Sequence, residues 1–233
     1  MTKTIHIFGD VNRRSEINIS VDITIKEILK THAEGMSGFK RAKLVQIGGP
    51  LGVTIKGTDL NHKLREYVED MKADTILFLN DLMCPVDFIR FCTRYIIREL
   101  RMKNDHLNDI NEIIEKISSG KSAQKDFEEL TSKANEKAES YAENRLHEII
   151  KYMTENFKDE FMNHIINKKC KTGICRRLFD AQCINACPAG VNIPGYVALM
   201  TEDRVAGAYG LMKHNNPLSF VCGKVCARPC EAR

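Results

Sequence analysis

The 233-residue chain has no apolar run approaching the roughly 18 residues that a membrane span requires. Its start, Met1-Thr2-Lys3-Thr4-Ile5-His6, is charged and strand-like and lacks the apolar stretch of a secretory signal, which points to the cytoplasm. Charge of one sign is scarce as well: the net charge is +4, and acidic and basic residues are interspersed. With no basic stripe interleaved with aromatics, nucleic acid is not expected as a partner. Phosphate cradles are missing too. Gly48-Gly49-Pro50-Leu51-Gly52 has neither G-x-G-x-x-G spacing nor a following Gly-Lys-Ser/Thr, and reads as a turn. Gly120-Lys121-Ser122 has Glu115 where a P-loop needs glycine, and it follows a helical pattern rather than a strand. No general base, nucleophile or substrate pocket stands out, so no catalytic residue is assigned.

Cysteine is nearly absent from the first 169 residues, which hold only Cys84 and Cys92. These two are eight apart with no third ligand nearby, and read as buried thiols. His32, His106, His147 and His164 have no partner at ligand spacing and read as structural.

The remaining patterns divide the chain. Ile5–Asp10 has strand composition, and Glu16–Val21 alternates with period two, which together predict a hairpin across Asn12–Ser15. Thr24 with Glu27 three residues on predicts a capped short helix with Ile25, Ile28 and Leu29 on one face. Ala42–Ile47 and Thr75–Leu79 read as further strands. Over residues 85–166 apolar positions recur with helical period: Phe88, Phe91, Cys92, Tyr95 and Ile96, then Ile110, Ile113, Ile114 and Ile117, then Leu146, Ile149, Ile150, Met153 and Phe157. Such stripes predict a bundle core. A polar stretch, Lys133–Asn144, interrupts them.

The last 64 residues hold seven cysteines: Cys170, Cys175, Cys183, Cys187, Cys222, Cys226 and Cys230. They read Cys-x4-Cys-x7-Cys-x3-Cys, a 34-residue gap that begins with Pro188, then Cys-x3-Cys-x3-Cys. Without an export signal a reducing compartment is the default, and clustered thiols there argue for metal rather than disulfides. Iron–sulfur cubanes take about four thiolates each, and Cys187-Pro188 resembles the Cys-Pro of bacterial ferredoxins. Structural zinc is the alternative, but zinc sites stop at about four ligands. A helical segment, Pro194–His214, would bring the two cysteine groups together.

Cys183-Ile184-Asn185-Ala186-Cys187-Pro188, Ile193-Pro194, Asn215-Asn216-Pro217-Leu218 and Cys222-Gly223-Lys224-Val225-Cys226 resemble the N-terminal two-cluster domain shared by the glutamate synthase small subunit, dihydropyrimidine dehydrogenase and NADH-dependent ferredoxin:NADP oxidoreductases. The resemblance implies that Cys175 and Cys183 serve one [4Fe–4S] cluster and Cys187, Cys226 and Cys230 a second, while Cys222 need not be a ligand. Leu178 stands where that family has a further cysteine, and Cys170 is the candidate replacement. The family continues with another cysteine and a flavin domain beyond Glu231-Ala232-Arg233, so the chain is expected to be a fragment of a longer polypeptide.

Residues 3–175 resemble the C-terminal half of the NADH-binding flavoprotein subunit of respiratory complex I and multimeric hydrogenases. The residues that carry this are Ile7–Val11, Val45–Pro50, Asp81–Asp87, Lys158–Phe161 and Lys169–Cys175. That subunit holds a [4Fe–4S] cluster in its helical bundle; here Arg98–Asp105 and Tyr141–Leu146 carry no cysteine, so this cluster is expected to be absent, as is the NADH- and FMN-binding domain. The expected fold class is α+β: an SLBB-type β-grasp domain (1–82), a helical bundle (83–167) and an α-helical iron–sulfur domain (168–233). The function implied is the iron–sulfur electron-transfer portion of an NAD(P)H-linked flavin oxidoreductase, with one or two [4Fe–4S] clusters. FAD or FMN and NAD(P)H would sit in a flavoprotein domain or subunit, and a ferredoxin or thioredoxin-like [2Fe–2S] subunit would be a further partner. Two other readings stay open: a non-catalytic scaffold with structural zinc on the C-terminal cysteines, and a small-ligand binder by fold analogy.

Overall fold

The computed structural model describes residues 2–71, 73–172, 174–175 and 182–231. Five strands form one mixed sheet: β1 (Thr2–Gly9), β2 (Ser15–Ser20), β3 (Ala42–Ile47), β4 (Val53–Lys56) and β5 (Thr75–Asn80), in the order β2-β1-β5-β3-β4. β1 and β2 form the expected antiparallel hairpin, with Ile5 opposite Ile17. β1 runs parallel to β5, and β3 is antiparallel to both β5 and β4. β4 had no sequence signal of its own; it exists because the Gly48–Gly52 turn folds the chain back on β3. Gly48 sits at φ +96°, and a Cβ there would come within 2.9 Å of the Met71 Cα, so the turn needs glycine on both counts.

One face of the sheet buries Ile5, Ile7, Val45, Ile47, Ile76 and Phe78 against Ile25 and Ile28. These belong to α1 (Ile25–Glu27) and to the wider π turn that continues it, Ile28–His32. Thr24 caps α1 in the expected capping box: its hydroxyl accepts from the Glu27 N–H, and Glu27 accepts from the Thr24 N–H at 2.9 Å.

The other face carries Leu44, which joins a second core made by helices. These are α2 (Pro85–Arg98), α3 (Asp105–Ser118), α4 (Gln124–Lys133), α5 (Tyr141–Asn156) and α6 (Lys158–Ile165). Ile110, Ile113, Ile114 and Ile117, with Leu146, Ile149, Ile150 and Met153, are buried as the periodicity predicts. α2 corrects one detail. Phe88, Cys92 and Ile96 point inward, but Phe91 is 51% exposed, because the inward stripe follows i, i+4, i+8 and leaves i+3 outside.

Polar contacts fasten sheet to bundle. The Lys43 ammonium donates to the Met83 carbonyl at 2.7 Å and pairs with Glu160 at 2.7 Å. The Tyr152 hydroxyl accepts from the Lys56 N–H at 2.7 Å, so the free edge of β4 is answered by α5.

The C-terminal segment folds as short helices: α7 (Gln182–Ala186), α8 (Ile193–Thr201), α9 (Val205–Asn215) and α10 (Ser219–Val225). The helical segment expected over Pro194–His214 consists of two helices. The chain turns at Asp203, which adopts φ +55°, and α8 then packs against α9. Two ion pairs tie this segment to the sheet domain, Lys40 with Glu202 at 2.7 Å and Arg204 with Asp10 at 3.1 Å. No helix among the described residues is long and apolar enough to cross a membrane.

Candidate metal centre and iron–sulfur module

The structure gathers Cys84, His164, Cys170 and Cys175 into one buried group whose ligand atoms all lie within 4.8 Å of one another. Two of the four come from the expected cysteine module. The other two had no sequence signal, since Cys84 and His164 stand 80 residues apart. Each is placed by a local feature. Cys84 is the residue before Pro85, held extended (ψ 123°) as the N-cap of α2. His164 lies in the last turn of α6 and donates Nδ1–H to the Glu160 carbonyl at 2.7 Å, which turns its Nε2 toward the sulfurs. Cys170 and Cys175 follow α6 on the descending chain.

The spacing of these atoms fits a single tetrahedral ion. Zinc–sulfur bonds of about 2.3 Å and zinc–nitrogen bonds of about 2.0 Å put two sulfurs about 3.8 Å apart, and sulfur and nitrogen about 3.5 Å apart. The Cys84 and Cys175 sulfurs are 3.8 Å apart, and Cys84 Sγ is 3.4 Å from His164 Nε2. Electrostatics point the same way. Hydrogen bonds with Cys175 and Cys84 hold the Cys170 thiol far below its ordinary pKa despite burial, whereas those with Cys170 and Cys84, together with burial, push Cys175 up. Burial works against a charged His164, yet its bonds to Cys170 and Cys84 raise it to about 10. Thr172 adds an outer contact, its hydroxyl 3.3 Å from Cys170 Sγ. Cys92, by contrast, is a plain buried thiol: burial pushes it up to about 12, and its Sγ donates to the Pro50 carbonyl.

The remaining five cysteines lie in the C-terminal segment. Cys183 is on α7 and Cys187 just after it, Cys222 is on α10, Cys226 is its C-cap, and Cys230 follows. Tyr196 of α8 lies within electrostatic reach of three of them. Burial raises the pKa of its hydroxyl, and the charges of Cys230, Cys183 and Cys187 raise it further. Cysteines of both the first and the second group thus act on one hydroxyl. Among the described residues these five do not close to the separation of the buried group. A cubane carries its ligands on separate corners and needs them farther apart than a single ion does. Cys226 Sγ accepts a backbone N–H from Arg228 at 3.3 Å, a contact of the kind that tunes cluster potentials. Leu178, the position where the resembled family has a further cysteine, lies outside the described residues.

Residues 149–233 match the family described as dihydropyrimidine dehydrogenase domain II, 4Fe-4S cluster. Over 78 residues the chain is 32% identical to the NADPH-Fe(3+) oxidoreductase subunit beta of Geobacter sulfurreducens, covering 33% of this chain and 12% of that protein. Over 51 residues it is 33% identical to the NADP(+)-dependent formate dehydrogenase subunit beta of Moorella thermoacetica, covering 22% of this chain and 7% of that one. The chain thus spans a small part of these relatives. Among solved structures it resembles the NAD+-reducing [NiFe]-hydrogenase. The air-oxidized form superposes over 70% of this chain and 30% of that one, with a TM-score of 0.59 and 16% identity. The H2-reduced form gives a TM-score of 0.60 at 17% identity over 70% of this chain. At such identity the likeness concerns the fold, which is α+β as the sequence predicted. Both resemblances seen in the sequence are thus met, one by the 4Fe–4S family and one by the hydrogenase fold.

Proposed function

We propose that this chain is the iron–sulfur electron-transfer portion of an NAD(P)H-linked flavin oxidoreductase, and that its seven C-terminal cysteines serve two different kinds of metal site. The observation that carries the reading is the 4Fe–4S domain match over residues 149–233. [4Fe–4S] clusters supply one-electron uptake and release. The chain's own part is to hold them: Cys183, Cys187, Cys226 and Cys230 as thiolate ligands, with Cys222 beside them on α10. The Arg228 N–H would stabilise the added negative charge on Cys226 Sγ, and Tyr196 would cover the sulfurs from one side.

Cys170 and Cys175 pair instead with Cys84 and His164 in a closed, mononuclear site of structural type, which zinc would fill with no open position for substrate. This moves Cys175 away from the cluster assignment drawn from resemblance. In this reading the division is a β-grasp domain over 1–82, a bundle over 83–167 and the iron–sulfur domain over 168–233, and the mononuclear site joins the second to the third. Flavin and NAD(P)H would belong to a further domain or subunit, in keeping with relatives named as an NADPH-Fe(3+) oxidoreductase subunit beta and an NADP(+)-dependent formate dehydrogenase subunit beta. The zinc-only scaffold has less support, because the family matched over the C-terminal third is an iron–sulfur one.

Anaerobic purification followed by iron, sulfide and zinc assay tests both halves. The expected result is brown protein with about four iron per chain and one zinc. Cys84→Ser should lose the zinc and keep the iron, and Cys230→Ser the reverse. If Cys175→Ser removes iron, and no zinc is found in the parent, the two sites collapse into one and the split is wrong.

A further inference from the structure

His106 lies in the first turn of α3 and His147 midway along α5, and neither takes part in the metal chemistry above. Their Nε2 atoms are 2.7 Å apart, with the rings crossed at 71°. The measure that fits the cysteine group to a metal excludes one here. Two nitrogens on a tetrahedral ion lie about 3.3 Å apart, whereas 2.7 Å is the length of a short hydrogen bond. On its other side His106 Nδ1 faces a Glu136 carboxylate oxygen at 3.2 Å, in the segment after α4. We propose that Glu136, His106 and His147 form a proton-operated clasp between α3 and α5, closed while the two rings share one Nε2 proton and opened when both are protonated.

The states follow from counting protons. With both rings neutral, Glu136 fixes a proton on His106 Nδ1, so His106 Nε2 accepts from the His147 Nε2–H. One added proton leaves the contact in place: it enters at His147 Nδ1 while the Nε2 proton passes across to His106, whose imidazolium then donates to Glu136 on one side and to His147 Nε2 on the other. A second proton puts N–H against N–H and two positive charges together, and the contact cannot survive.

The surroundings place that second proton on the acid side. His147 is 3% exposed, and burial lowers its pKa first, the charge of His106 second. Glu143 and Glu136 work in the opposite direction, and Lys151 reinforces the lowering. Asp109 of α3 also acts near His106, but it is bound to Lys133 of α4 at 2.8 Å, and Lys133 lies 3.7 Å from Glu136. Because the folded value lies below the unfolded one, the unfolded chain takes up the proton more readily. The clasp's contribution is complete above the ordinary histidine value of about 6.5 and is lost as pH falls through the folded value. Opening would loosen the start of α3, whose N-cap Asn104 donates to Glu143 at 2.5 Å beside the pair.

The test uses the full, metal-loaded chain. Ring-nitrogen NMR of the histidines from about pH 8 to about pH 5 should show His147 titrating in a separate step below the ordinary value. Amide exchange in residues 104–110 and 141–150 should rise with that step and not with the first. In His106→Gln, a change at a largely covered first-turn position, His147 should move back toward its ordinary value and the acid-induced exchange should vanish. His147 titrating normally in both proteins would overturn the clasp, as would a second step that leaves exchange unchanged.

Discussion

The two ends of this chain are stabilised in different ways. Residues 2–172 hold two apolar cores, one under the sheet and one inside the bundle, and fully bury side chains as large as Phe78 and Phe161. Over residues 182–231 only Val191, Asn192 and Ala208 are buried among the described residues, while Leu218, Phe220 and Val225 are 65–79% exposed. A segment with so little apolar burial cannot offset the conformational entropy of its own ordering. Its cysteines are the other resource: under the proposed function, metal–thiolate bonds would organise a chain that lacks a core. The buried Cys3His group stands at the border between the two regimes. Its sulfurs belong to the bundle's core cluster, yet two of them come from the cysteine-rich tail.

The largest expected effect separates the two directly. Removing iron with a chelator should abolish amide-exchange protection over residues 182–231 and leave that of residues 2–172 near its original level. Equal loss in both would mean that the C-terminal segment leans on the bundle rather than on its clusters. Next comes the converse. Ile114→Ala, at a fully buried position, should cost about 2–5 kcal/mol of bundle stability in a denaturant titration. The iron content of the folded protein should not change. The smallest effect is at the sheet–bundle joint. Lys43→Met would leave Glu160 without its cation and the Met83 carbonyl without its donor. A loss of about 1–3 kcal/mol is expected. A change below the resolution of the unfolding curve would show that the joint is held by Leu44 and its apolar neighbours alone.

Much of the architecture is legible in short stretches of sequence. The β1–β2 hairpin, the Thr24–Glu27 capping box, the strands at 42–47 and 75–80 and the apolar stripes of α3 and α5 are local patterns, written within a few residues of where they act. The density of cysteines after residue 169 points to metal for the same reason. What escapes such reading is non-local or balanced on small differences. β4 carries no pattern beyond its turn. α4 hides in a polar sequence, needing only Leu130 and the half-buried Phe127 to reach the core. The break at Asp203 rests on one left-handed residue.

Composition and spacing therefore determined the α+β class, the sheet-then-helix order and the presence of a cysteine metal module. Tertiary structure alone decided which cysteines stand together. Cys84 reads as an isolated thiol and His164 as an ordinary core histidine until α6 packs beside the start of α2. It also turned His106 to face His147 across 2.7 Å. Sequence spacing can bring ligands together only within a turn or two of helix, whereas these partners meet because two buried faces, 80 residues apart for Cys84 and His164, share one core.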